Sequence, residues 1–237
     1  MCQNRQMIDI EKLRQATTVV IPAKDEEGTI AKVIGQVSPY AGEIIVVDGH
    51  SVDATREIAA RLGVKVVIDH GRGKGEAIRC ALEHISNPIT VFIDADGSHD
   101  ASDIPRLAAP VFADEYDHVT GSRLIGGSSE LHGGFDEFLR LAGSSFITAC
   151  INTRFKVRLS DSQNGFRAIK TAVLKQLDLR EDITTIEQEM IIKTLRQGFR
   201  MGEVPAHEYC RESGESKIRL SRVWPRYGWV LLRHMLP

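Results

Sequence analysis

Short apolar segments alternate with helix-like stretches over roughly the first half of this 237-residue chain. The apolar segments predict strands at 17–22, 43–48, 64–69, 89–94 and 118–121. Between them, residues 27–37, 53–62, 74–86 and 102–113 carry Ile, Leu, Val and Ala at helical spacing. Several strands are continuously apolar, as expected when helices cover both faces of a sheet. The pattern predicts a doubly wound, mostly parallel α/β sheet flanked by helices.

The second half of the chain is less regular. It holds a Gly/Ser-rich stretch at 126–134, predicted helices at 135–152 and 185–198, and a strand that ends near Pro205. There is no internal repeat, low-complexity segment or clean linker, and 42% of the residues are apolar, which is enough for a sizeable core. We therefore expect a single domain.

Composition excludes several classes of protein. The chain has 32 acidic and 30 basic residues, so no overall field favours nucleic acid as a partner. Its four cysteines are scattered without a CxxC pair, which is typical of reduced thiols in the cytoplasm. Residues 1–9 lack the apolar stretch of a signal peptide, and no run of 18 apolar residues predicts a membrane span.

Polar residues follow several predicted strands, at the sheet edge where open α/β proteins bind ligands. Strand ends are also where polar loops begin, so this enrichment has an ordinary explanation. Acids after three strands together with an arginine after a fourth nevertheless favour a binding site. In chain order these segments are 24–27, 48–51, Asp94 with Asp96, and Ser122 with Arg123.

The strand predicted at 89–94 leads into two carboxylates, those of Asp94 and Asp96. In an extended chain, residues two apart point to the same face, where two acids repel each other unless a cation lies between them. A divalent ion that keeps several waters and takes oxygens from a phosphate fits this arrangement. The alternative is a strand end whose acids cap the next turn or helix.

The glycine-rich segment 71–75 resembles a phosphate loop but does not match G-x-x-x-x-G-K-[ST]. Glu76 stands where a dinucleotide fingerprint needs its third glycine, and the chain has no G-x-S-x-G nucleophile elbow. Lys74, at a predicted helix start, is either a phosphate-facing cation or a solvated turn residue.

Motifs in sequence order resemble those of family 2 glycosyltransferases. They are residues 21–27 (Ile-Pro-Ala-Lys-Asp-Glu-Glu), 46–53, 73–75 (Gly-Lys-Gly), 94–96 (Asp-Ala-Asp) and 121–123 (Gly-Ser-Arg). Segments 161–168, 203–205 and 211–217 are similar to the subgroup typified by dolichyl-phosphate mannose synthase. The resemblance covers about residues 17–217 and implies a GT-A (Rossmann-like) domain over 1–217. It also implies a nucleoside-diphosphate sugar donor, a divalent metal and inversion at the anomeric carbon.

The resemblance further assigns residues to the donor. Asp94 and Asp96 would hold Mg²⁺ or Mn²⁺, which stabilises charge on the departing diphosphate. Asp25, Glu27 and Asp48 would accept hydrogen bonds from the base and ribose. The full expected donor set is Pro22, Ala23, Asp25, Glu27, Asp48, Lys74, Asp94, Ala95 and Asp96.

In that subgroup the acceptor is a polyprenyl or dolichyl phosphate, which brings its own nucleophilic charge and makes a general base dispensable. Cations must position this phosphate, and arginine suits the task through bidentate donors. For Arg140, on a predicted helix, a solvated face is an equal explanation, and Glu187 and Glu189 are expected to be acceptor-side or structural. The expected acceptor residues are Arg123, Arg140, Arg167, Arg211 and Lys217, and the expected catalytic residues are Asp96, Arg123 and Arg167.

The chain departs from the family pattern at several positions. Gly49 replaces a usual aspartate, so that one nucleotide contact is lost or supplied by His50. Ser98 stands where some relatives carry a glutamine that contacts the metal. His99 and His207 are conceivable ligands, although a lone histidine is more often structural.

The C-terminal segment 218–237 is basic and amphipathic. From 216 to 237 the chain has five Lys or Arg and no acid, interleaved with Trp224, Tyr227 and Trp229. Such a segment lies on an anionic membrane surface or packs on the domain as a terminal helix. The expected enzyme is thus peripheral on the cytoplasmic face of the membrane, by itself or through a membrane-anchor subunit.

The expected reaction moves mannose or glucose from GDP-mannose or UDP-glucose to a polyprenyl phosphate. The alternatives are the same donor chemistry with a soluble acceptor, and a non-catalytic scaffold that binds a nucleotide sugar.

Overall fold

The computed structural model describes residues 9–129, 135–210 and 220–235, with side chains described outside 135–140 and 220–225. A seven-stranded sheet forms its centre, in the order β3-β2-β1-β4-β6-β5-β7. Neighbouring strands are parallel except for β6, which runs antiparallel to both β4 and β5. The strands are β1 Thr17–Ala23, β2 Glu43–Asp48, β3 Lys65–Ile68, β4 Ile89–Phe92, β5 His118–Ser122, β6 Arg167–Lys170 and β7 Met201–Pro205.

Helices cover both faces of this sheet. They are α1 Ile10–Gln15, α2 Ile30–Val37, α3 Thr55–Arg61, α4 Lys74–Ala81, α5 Ile104–Phe112, α6 Arg123–Gly126, α7 Phe135–Phe155, α8 Thr171–Gln176, α9 Ile186–Arg196 and α10 Leu220–Met235. Two short 3₁₀ turns, Ser38–Tyr40 and Ala101–Asp103, precede β2 and α5.

Strand β1 shows why the apolar segments are continuous. Val19 belongs to a core cluster with Val33 of α2, whereas the next residue, Val20, belongs to a second cluster with Ile78 of α4. Successive strand residues point to opposite faces, so both faces demand apolar side chains when both are covered. The predicted parallel α/β sheet is confirmed.

The predicted end of β4 was wrong. The strand ends at Phe92, opposite Arg167 of β6, and the chain then turns through Ala95 and Gly97, which has φ 74°. Asp96 closes this turn by accepting from the backbone N–H of Ser98 at 3.1 Å. The extended-chain argument for a shared face therefore does not apply to Asp94 and Asp96.

Strand β6 was not anticipated, nor were the short helices α1 and α8. Because β6 is antiparallel, its first residue lies at the same sheet edge as the last residues of β4 and β5. The segment that precedes it, which includes Gly165, is thereby delivered to the ligand-binding edge.

Helix α10 packs against α7 and α9. Leu231 is buried in a cluster with Ile147 and Ile191, and the Tyr227 hydroxyl donates to Thr184 Oγ1 at 2.9 Å. One face of α10 therefore packs on the domain, as the alternative of a terminal helix predicted for the C-terminal segment. Within the described ranges, none of the helices combines the length and apolar character needed to cross a bilayer.

Candidate active site

The loops after β1 and β2 are bound to each other at the carboxyl edge of the sheet. Asp25, at φ 54°, accepts through Oδ1 from the N–H of Val52 at 2.9 Å, and its own N–H donates to Ser51 Oγ. Glu27 Oε2 accepts from the N–H of Ala54 at 3.0 Å. The two carboxylates therefore hold the loop after β1 against the loop after β2.

Pro22 and Ala23, the other donor residues predicted on β1, occupy the last two positions of that strand. Ala23 is paired in register with Asp48, and its carbonyl accepts from the N–H of Gly49 at 2.8 Å. His50, the suggested substitute for the missing aspartate, contacts the Asp69 carbonyl through Nε2 at 2.8 Å. It thus ties the loop after β2 to the loop after β3.

Asp48 ends β2 with a fully buried side chain. Its Oδ2 accepts from both Nε and an Nη of Arg56, at 3.1 and 2.9 Å. Because no part of the Asp48 side chain is exposed, a ribose contact by this carboxylate requires a neighbouring group to move. Arg56, in the first turn of α3, was not anticipated, because a single arginine in a helix carries no signal of its partner.

The centre of the site is an ion-pair cluster of Lys74, Asp94 and Glu187. Lys74, the first residue of α4, places Nζ 2.5 Å from Asp94 Oδ1 and 2.8 Å from Glu187 Oε1. The Lys74 side chain is 19% exposed, that of Asp94 30% and that of Glu187 4%. His99 Nε2 lies 3.7 Å from the second oxygen of Asp94.

Burial disfavours the charged forms of these groups, but the opposite charges outweigh it. The pKa of Lys74 is raised because the carboxylates of Asp94 and Glu187 overcome the cost of burial. The pKa of Asp94 is held well below its usual range, since Lys74 and His99 likewise overcome burial. Lys74 and Asp94 are therefore both ionised at neutral pH.

The segment before β6 closes this cluster from one side. A Cβ on Gly165 would lie 2.6 Å from Lys74 Nζ and 3.0 Å from Asp94 Oδ2, so only glycine fits without a shift. Arg167 lies beneath, 1% exposed, and donates to the Glu187 carbonyl at 3.0 Å and to the Asn164 carbonyl. Burial lowers the pKa of Arg167. This arginine thus holds the backbone on which the cluster is built.

Asp96 is buried, and its Oδ1 accepts from Ser98 Oγ at 2.6 Å. Ala95, between the two acids, points into the core and is 3% exposed. Across the described parts of the chain, no three His, Cys, Asp or Glu side chains converge as a cation cage. A metal at Asp94 and Asp96 would therefore complete its shell with water and ligand oxygens, which is usual for Mg²⁺.

Arg123 begins α6 and forms a bidentate pair with Asp161, at 2.6 and 3.0 Å. Its third contact is with Glu208 Oε1 at 3.3 Å, and its side chain is 13% exposed. Both oxygens of Glu203, on β7, accept from the N–H of Ser160 at 2.9 Å and so fix the chain that carries Asp161. Three motifs of the sequence analysis, at 121–123, 161–168 and 203–205, are thus connected around Arg123.

The other predicted residues divide into three groups. Glu189 is fully buried and accepts from the backbone N–H groups of Arg180 and Glu181, so it is structural. His207 contacts the Gly126 carbonyl at 3.1 Å. Arg211, Lys217 and the side chain of Arg140 lie outside the described residues.

Comparison with known proteins gives the family. The family model described as "Glycosyl transferase family 2" matches residues 18–177. The glycosyltransferase AglJ of Haloferax volcanii is 32% identical over 204 residues, which are 84% of this chain and 65% of that protein. A dolichyl-phosphate hexose transferase of the same organism is 28% identical over 203 residues, 84% of this chain and 85% of that protein.

A solved structure shares the fold. Glucosyl-3-phosphoglycerate synthase from Mycobacterium tuberculosis, in complex with Mn²⁺, UDP and phosphoglyceric acid, superposes with a TM-score of 0.73 at 23% identity. The match covers 96% of this chain and 83% of that one. The expected GT-A architecture is confirmed. With the motifs of the sheet edge in place and the family model spanning most of the sheet, the chain belongs to glycosyl transferase family 2 and is a glycosyltransferase.

Proposed function

We propose that this glycosyltransferase transfers a hexose from a nucleoside-diphosphate sugar to a polyprenyl or dolichyl phosphate, with Mg²⁺ or Mn²⁺ and inversion at the anomeric carbon. The observation that carries the proposal is the Lys74–Asp94–Glu187 cluster, which gathers acids and one cation at the ligand-binding edge of the sheet. The expected donor is GDP-mannose or UDP-glucose.

The residues present fit a divalent ion. Asp94 is partly exposed and Asp96 follows in the same turn, and hard oxygen ligands of this kind suit Mg²⁺ or Mn²⁺. The M. tuberculosis synthase of the same fold was solved with Mn²⁺ and UDP. When bound, the ion would supply charge stabilisation at the departing diphosphate. Lys74, at the start of α4, adds a second positive charge beside that position.

Arg123, which follows β5 at the same edge of the sheet, is our proposed cation for the acceptor phosphate. Three of its five N–H groups are engaged, two by Asp161 and one by Glu208, which orient the guanidinium before any ligand arrives. Arg167, which is almost fully buried, would act from beneath as a positioning residue. We keep Arg140, Arg211 and Lys217 as further proposed phosphate contacts.

The lipid nature of the acceptor is supported by α10. Its outer face carries Trp229 and Leu232, which are 65% and 59% exposed, beside the exposed arginines Arg226 and Arg233. Aromatic and basic side chains on one helix face favour the interface of an anionic membrane. Glu181 contacts both arginines, at 3.4 and 4.0 Å, and moderates their charge. The relative named as a dolichyl-phosphate hexose transferase points to the same class of acceptor.

The test is release of nucleoside diphosphate from GDP-mannose or UDP-glucose, with Mg²⁺ or Mn²⁺, with and without polyprenyl phosphate in detergent. We expect release that requires both lipid and metal. A parallel reaction contains phosphoglyceric acid, because the M. tuberculosis synthase was solved with it. Release with that acceptor but not with lipid would overturn the acceptor assignment. No release with either acceptor from either donor would overturn the proposed donors and call for a wider panel of donors and soluble acceptors.

A further inference from the structure

Asp94 already has a cation against it, the ammonium group of Lys74 at 2.5 Å. We propose that Lys74 is an exchangeable counter-ion, which neutralises Asp94 until a divalent ion binds there and then moves onto Glu187, beside the donor diphosphate. The inference rests on the proposed function, from which it takes the metal and the donor. It makes Lys74 and Glu187 a pair of positioning residues for metal binding.

Gly165 packs against both partners of this ion pair. A single methyl group there would lie 2.6 Å from Lys74 Nζ and 3.0 Å from Asp94 Oδ2. Asp94 Oδ2 also lies 3.7 Å from His99 Nε2. Two positive charges on one oxygen would repel strongly in this partly buried setting. In this proposal the repulsion drives Lys74 away from Asp94 Oδ1 when a divalent ion takes that position.

Glu187 provides the place to which Lys74 moves. Its Oε1 already holds Nζ at 2.8 Å, and its Oε2 is buried with no hydrogen-bond partner among the described residues. An ammonium has three donors and can satisfy both oxygens of one carboxylate. Because an unsatisfied buried oxygen is costly, the move offsets part of the loss of the Asp94 contact. The hydrogen bond from Arg167 to the Glu187 carbonyl keeps the backbone of Glu187 in place during this move.

The exchange also changes the charge that meets the donor. Asp94, Asp96, Glu187 and Lys74 together carry two formal negative charges, which disfavour a diphosphate. A divalent ion bound at the two aspartates cancels this charge, so metal and donor are expected to bind more tightly together than apart. Without Lys74, two carboxylates would face each other with no counter-ion whenever the metal is absent.

A double-mutant cycle on Mn²⁺ affinity separates exchange from simple electrostatics. Electron paramagnetic resonance of free Mn²⁺ measures binding without nucleotide to wild type, Lys74→Met, Glu187→Gln and the double variant. We expect Lys74→Met to tighten Mn²⁺ binding and Glu187→Gln to weaken it, each by about tenfold. In the Lys74→Met background, Glu187→Gln should weaken binding clearly less than in wild type, because only the direct attraction of Glu187 for the ion is then lost and not its capture of Lys74.

Equal effects of Glu187→Gln in both backgrounds would overturn the exchange, as would unchanged Mn²⁺ affinity in Lys74→Met. Glu76→Gln, in the same first turn of α4 but paired with His70, is the matched control and should bind Mn²⁺ like wild type. Melting curves with and without Mn²⁺ check the fold of each variant, and Lys74→Gln replaces Lys74→Met if that variant does not fold. Wild type that binds no Mn²⁺ even with the donor would instead refute the proposed metal dependence.

Discussion

Replacing Gly165 with alanine should separate Lys74 from Asp94 without unfolding the protein. The new methyl group would lie 2.6 Å from Lys74 Nζ, whereas ordinary contact begins at 3.4 Å, so the ammonium must retreat by about 0.8 Å. The backbone of Gly165 is not in the left-handed region, so the change acts through the contacts of the new methyl group with Lys74 and Asp94.

The expected cost in stability is small, because the atom that must move is the end of a flexible side chain. Overpacking typically costs about 1–3 kcal/mol, and we expect the lower end of that range. For a chain of this length, that is a fall of about 2–4 °C in melting temperature. The effect on turnover should be larger, on the order of tenfold to a hundredfold, since a displacement near 1 Å disturbs the geometry at the diphosphate.

Melting curves and donor turnover with saturating metal test this prediction. Gly35→Ala is the matched control, because a Cβ there meets nothing within 4 Å and the position lies inside α2. It should keep wild-type turnover and gain about 0.5–1 kcal/mol from helix propensity. Wild-type turnover in Gly165→Ala would refute the argument from close packing, and a loss above about 4 kcal/mol would show that the neighbours cannot yield.

Three further predictions concern other parts of the molecule. Asp96→Asn should abolish turnover while circular dichroism stays unchanged, and wild-type rates would refute the metal assignment. Burial, with a smaller contribution from the nearby Arg167 charge, holds the pKa of His118 well below 6.5, so the unfolded chain takes up the proton first. Stability in urea should therefore fall as the pH drops below about 6.5, and less so in His118→Asn. Replacing Trp229 and Leu232 with serine should reduce sedimentation with anionic liposomes. Leu62→Ser is the control, because Leu62 is also exposed but lies outside α10, and it should sediment like wild type.

The sheet was predictable because its strands are buried on both faces. Val19, Val20 and Ile21 are all fully buried, and such runs are visible without any knowledge of topology. Strand β6 offered no such signal, since its four residues begin with Arg167 and end with Lys170. Arg167 is nevertheless 1% exposed: two of its three guanidinium nitrogens donate to backbone carbonyls inside the fold, whereas Nε is buried with no hydrogen-bond partner among the described residues.

The site was predictable as a set of residues but not as a set of contacts. Asp94, Lys74 and the motif that contains Gly165 were all recognised, yet nothing in the sequence shows that they touch. Glu187 joins them from the start of α9, and its role depends on how the antiparallel β6 brings the second half of the chain back. The sequence likewise gave no sign that Asp48 pairs with Arg56.

The antiparallel strand β6 also sets the time at which the site can form during synthesis. Strands β4 and β5 do not pair with each other, and β6 is the strand that joins them. A nascent chain that ends before residue 165 contains β1 to β4 and their helices, but it lacks Gly165 and Glu187 around Lys74. Because domains fold from the N-terminus as they emerge, the cluster closes only late in translation. Until then, Lys74 and Asp94 lack the two residues that enclose their ion pair in the complete fold.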